Sequence, residues 1–148
     1  MNVARWLHLL GVVVWVGGMF FAHVALRPSV QALPPPQRLP LLAATLSRFI
    51  GLVGVAVAAI LGSGILMIML LGGLRAVNPS VHAMAALGAV MMIIYAHLAG
   101  GPLKRLRAAV AAGEWERAGA AMGQVRKLVA VNLVLGLVTL TIAVLGRG

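Results

Sequence analysis

The sequence predicts an all-α membrane protein: a four-transmembrane-helix up-down bundle, one domain over residues 1–148. Three observations predict it. First, the chain is 62% hydrophobic and 9% charged, with a mean hydropathy of +1.07. A soluble domain carries about 25% charged residues and under half apolar, and a chain this short cannot hide the excess in one core. Second, its apolar residues fall into four runs, each near the roughly 20 residues a helix needs to cross a bilayer. Third, the basic residues are concentrated in the segments between those runs.

Span one is Trp6–Leu26. It is too long for the apolar region of a signal peptide and ends at Arg27 rather than at a small-residue cleavage site, so it reads as a retained span. The connection 27–48 contains Leu33-Pro34-Pro35-Pro36-Gln37-Arg38, a stretch expected to interrupt any helix because proline lacks the N–H. Span two is Phe49–Leu74. A tight turn over Arg75–Ser80 follows, with Asn78-Pro79 as breaker and cap for span three, Val81–Ala99. The longest polar segment, 100–127, holds Gly113-Glu114 as a stop and restart, so spans three and four are expected to project beyond the membrane. Span four is Leu128–Leu145.

Lysine and arginine counts orient the bundle. Loops one and three hold Arg27, Arg38, Arg48, Lys104, Arg105, Arg107, Arg117, Arg126 and Lys127; the opposite side holds Arg5, Arg75 and Arg147. Nine against three places both loops in the cytoplasm and both termini on the periplasmic side of the inner membrane. The net charge of +10 is thereby explained by topology, and nucleic acid is not an expected partner. The expected surroundings are the lipid bilayer and a quinol or other membrane redox partner, and the glycine-rich faces suit a homodimer.

Composition also removes whole chemistries. With no cysteine there are no disulfides, thiolate metal sites or iron–sulfur clusters. The only carboxylates, Glu114 and Glu116, lie in a loop, so an intramembrane carboxylate relay is absent. The four histidines are left as the strong ligands inside the spans. His8 and His23 lie fifteen residues apart on span one, and His82 and His97 fifteen apart on span three. Fifteen residues rise about 22 Å and rotate about 60° net. Because spans one and three run parallel, His8 pairs in depth with His82 and His23 with His97.

An imidazole in hydrocarbon is costly unless hydrogen-bonded, paired or ligating. Each histidine alone reads as interfacial or satisfied; four in two matched layers point to axial ligation of one or two b-type haems. Gly11 and Gly18 provide a thin face on span one, equally suited to a macrocycle or to close helix packing. Arg48, opening span two, is the candidate propionate partner. This reading makes the chain a cytochrome b-like electron-transfer protein, with oxidoreductase activity of its own left open. Methionine offers the other chemistry: Met19, Met67, Met69, Met84, Met91 and Met92, with the histidines, are soft donors suited to copper, although methionine is also ordinary filler in apolar helices. Ser63, Thr139 and Thr141 are expected to bond their own helix backbone, Asn132 to bond across helices, and Trp6, Trp15 and Tyr95 to serve as belt or packing aromatics.

The segment Leu7-His8-Leu9-Leu10-Gly11-Val12-Val13-Val14-Trp15-Val16-Gly17-Gly18-Met19-Phe20-Phe21 resembles the opening helix of the CopD-like (copper resistance protein D) membrane family. Ser47-Arg48-Phe49, Val81-His82, Tyr95-Ala96-His97 and Arg126-Lys127-Leu128 extend the likeness along most of the chain. The resemblance implies a four-helix membrane protein linked to copper uptake or tolerance. The related HemJ-type protoporphyrinogen oxidases imply haem b and a functional histidine at His8. Their second functional residue, a lysine shortly after the histidine opening span three, falls here on Met84, which disfavours that oxidase activity.

Overall fold

The computed structural model describes residues 1–146, and the described residues are helical with short turns between. Arg147, counted above on the periplasmic side, lies outside them. Four helices are long and apolar enough to cross a membrane, as expected. The first, α1, runs Asn2–Val30 and widens into a π-helical turn over Ala22–Leu26. The second, α2, spans Pro35–Leu70. The third, α3, covers Pro79–Gly100, and a break at Gly101 leads into the short α4, Pro102–Ala111. The last, α5, is Trp115–Leu145.

Helix α2 begins fourteen residues before Phe49, the expected start of span two. The expected interruption is present over 31–34, but it is short, and the proline run starts the next helix. Pro34 is extended and caps the helix, and Pro35 and Pro36 occupy its first two positions. The backbone N–H groups there have no helical partner in any case, so their loss costs nothing. Pro40, one turn further in, removes a single bond to the carbonyl of the exposed Pro36, where water can replace it. At 1.5 Å per residue the 36-residue α2 is about 54 Å long, well beyond a hydrocarbon core of about 30 Å.

Helices α4 and α5 pack against the first turns of α2. Leu39 and Leu46 pack with Leu103, Leu106, Ala118, Ala121 and Val125, and Leu106, Ala118 and Val125 are fully buried. Gly113 reverses the chain between α4 and α5 at φ +68°, a conformation glycine adopts without steric cost.

Within the membrane, α1 packs chiefly on α2 and α3 chiefly on α5, while α5 also touches α1 and α2. The Asn78 side chain accepts from Val81 N–H at 3.1 Å and opens α3 as its sequence suggests. At the same end, Ser80 Oγ donates to the Gly146 carbonyl at 2.7 Å, tying the start of α3 to the end of α5. Leu9, Val13, Val55, Ile93, Val134 and Val144 are all exposed, as lipid-facing side chains must be.

Candidate functional site at His8

His8 sits two turns into α1, half-buried against α2. Its Nδ1 lies 3.1 Å from the Ile60 carbonyl oxygen and 3.1 Å from Ser63 Oγ. A carbonyl can only accept, so Nδ1 carries the proton and donates. In the neutral ring the Nε2 lone pair is then free, which is the tautomer a ligating histidine needs. Ser63 Oγ donates to the Ala59 carbonyl at 2.5 Å, so towards His8 it too acts as acceptor. Ser63 is buried, and Gly64 leaves room for the imidazole, since a Cβ there would lie 3.3 Å from His8 Cε1.

The sequence showed Ser63 bonding its own backbone, and it does. Its second role, orienting His8 from fifty-five residues away, was missed; the pair of glycines flanking it, Gly62 and Gly64, was the available signal. Thr139 and Thr141 bond the Leu135 and Leu137 carbonyls of their own helix as expected.

The other candidates are distributed as follows. His82, in the first turn of α3, and His97, in its last, are exposed; His23 lies in the π-helical turn of α1, half-buried. Among the described residues His8 alone of the four has side-chain hydrogen bonds, and no three His, Asp or Glu side chains converge. The thin face of α1 is filled by α2. A Cβ on Gly11 would meet Ile60 Cγ1 at 2.7 Å and the Ala56 carbonyl at 3.0 Å, and one on Gly18 would overlap the Phe49 ring. Here small residues let two helices approach closely, the packing use open to them from sequence. Arg48 is exposed, beside Lys104 and Arg107 on an open groove at the loop end.

The bundle centre is the second polar feature. Trp15 and Tyr95 meet edge to face at 6.2 Å, and Tyr95 OH donates to the Ile50 carbonyl at 3.0 Å. Met19 and Met91 are buried in the same cluster. Asn132 Nδ2 donates across helices to the Met91 carbonyl at 3.3 Å, as expected of it, but its buried Oδ1 has no partner. An unpaired buried amide oxygen costs about 1–3 kcal/mol. Asn132→Leu should therefore leave the melting temperature of the detergent-solubilised protein unchanged or raised; a fall of several degrees would show that the cross-helix bond outweighs the orphaned oxygen.

Fold and site together define a multi-pass membrane protein with one oriented, ligand-capable histidine facing a neighbouring helix. Residues 43–145 match the family model described as copper resistance protein D. The chain belongs to this CopD family. The match takes in Ile60, Ser63 and Gly64, the partners of His8, and begins after α1 itself. Searches of curated proteins and of solved structures returned no match.

Proposed function

We propose that the chain handles copper within the cytoplasmic membrane, as a step in copper tolerance or uptake, with Cu(I) as cargo. The reading is carried by membership of the copper resistance protein D family. The donor chemistry is compatible with it. Cuprous ion favours imidazole and thioether over hard oxygen ligands. Such donors occur at successive depths: His8 towards one face, Met19 and Met91 at the buried centre, His23 and His97 towards the other. The lysine and arginine asymmetry supports cytoplasmic placement of the 27–48 and 100–127 segments.

Haem b, the principal expectation from the histidine spacing, draws on the same Nε2. The face that Gly11 and Gly18 leave thin is occupied by Ile60 and Phe49 and is not open to a macrocycle. No electron-transfer step is therefore assigned to the chain. Elemental analysis and an absorbance spectrum of the purified protein, loaded with Cu(I) under reducing conditions, separate the two. Stoichiometric copper without a Soret band is the expected result. Stoichiometric haem with no bound copper would overturn the proposal.

A further inference from the structure

The loop end of the bundle holds a cavity that copper handling does not use. It has a volume of about 150 Å³ and lies between the last turn of α1, the first turns of α2 and the first turns of α5. Arg27, Arg38 and Arg126 line it together with Gln31, Gly119 and Gly123.

Topology places cations at this end of the bundle, but it does not explain their arrangement. Among the described Lys and Arg residues, Arg27, Arg38 and Arg126 are the three that are half-buried; the others are exposed. All three line the same cavity, where Arg27 and Arg126 repel one another. Charge taken out of water is costly unless paired. The chain has only two acidic residues to offer, Glu114 and Glu116. Glu114 is bonded to Arg117 at 2.6 Å, and neither glutamate lines the cavity. No acidic side chain of the chain is therefore placed to neutralise the three arginines.

The shape of the cavity points the same way. A Cβ on Gly11, Gly18 or Gly136 would strike a neighbouring helix, whereas one on Gly119 or Gly123 would meet nothing within 4 Å. At these last two glycines a larger side chain would enter open space beside the cavity. Arg38 spends one N–H on the Leu33 carbonyl at 3.2 Å, which fixes its guanidinium and leaves the rest of the fork free. Guanidinium forks bind phosphate oxygens two at a time. A cavity needs about 10–15 Å³ to hold one water, so this one has room for a phosphoryl group.

We propose that the cavity lined by Arg27, Arg38 and Arg126 is a phosphoryl-binding site, taking a phosphate oxyanion either as free phosphate or as the headgroup of an anionic phospholipid. It lies at the end of α1, just past the apolar run that closes at Leu26. Binding neutralises the three arginines and clamps α1, α2 and α5 together.

The test uses the full chain, delipidated in a neutral detergent, with melting temperature as the readout. One arm adds inorganic phosphate at constant ionic strength against chloride. The other adds short-chain phosphatidylglycerol against phosphatidylcholine of the same chain length. Stabilisation by phosphate identifies a free-anion site, and stabilisation by phosphatidylglycerol alone identifies a headgroup site. In either case Arg38→Gln and Gly123→Leu should raise the half-saturating concentration about tenfold or more, the loss of one bidentate pair or of the space itself. Lys104→Gln, an exposed cation outside the cavity, should leave it unchanged. Gly123→Leu keeps all three arginines and enters open space, so it separates the cavity from general basicity. No stabilisation in either arm, or a response that survives both substitutions, would overturn the proposal.

Discussion

Replacing His8 with alanine should abolish copper loading, reducing affinity by two orders of magnitude or more, while the protein remains folded. His8 is the one described histidine whose ring is held by side-chain hydrogen bonds, which leave its Nε2 free. Folding should survive because the groups that hold the ring have other partners. The Ile60 carbonyl lies inside α2, and Ser63 Oγ keeps its bond to the Ala59 carbonyl. Ser63→Ala should act on the same property more weakly, by about 10–100-fold, the usual cost of removing the group that orients a ligating histidine. Copper per chain, measured with melting temperature on the same sample, checks both. Undiminished copper in the His8→Ala protein would remove His8 from the site.

How far the sequence reveals this site depends on which physical signal each residue carries. The four spans are legible because hydrophobic length is a one-dimensional property, and the Asn78 cap because it acts within three residues of itself. The outward reach of α2 is hidden by its prolines, which stop a helix at most positions and start one at its first turn. The histidine depths follow from helical rise, whereas the helix each ring faces depends on rotation about the axis. In α1 apolar residues surround the whole helix, so no polar face indicates which neighbour it meets. His8 could thus be placed along its helix and still be expected opposite α3, where the structure has it bonded to α2. Ser63 carried the missing information, but a serine bonded to its own helix looks the same in sequence whether or not its lone pair is used by another helix. The arginine cavity was illegible for a related reason: Arg27, Arg38 and Arg126 are 11 and 88 residues apart in turn, and from sequence each reads only as a topological charge.

Gly18→Ala and Gly11→Ala should each destabilise the bundle by about 1–3 kcal/mol, the usual cost of forcing extra volume into packed contacts, but only the first should be rescuable. At Gly18 the obstacle is the half-buried Phe49 ring, so Gly18→Ala combined with Phe49→Leu should recover most of the loss. At Gly11 the obstacles are Ile60 Cγ1 at 2.7 Å and the Ala56 carbonyl at 3.0 Å. Shortening Ile60 relieves the first, but the carbonyl belongs to the α2 backbone and cannot retreat without moving the helix. Double-mutant cycles by unfolding in detergent distinguish these cases. The coupling should be large for Gly18 with Phe49 and small for Gly11 with Ile60. Gly11 lies one turn from His8 on the same helix pair, so displacing α2 there also lengthens the bond from His8 Nδ1 to the Ile60 carbonyl. Gly11→Ala should accordingly weaken copper binding as well as stability, whereas the rescued Gly18 and Phe49 double substitution should restore both. Normal copper loading in a destabilised Gly11→Ala protein would show that the orientation of His8 does not depend on the close approach of α1 to α2.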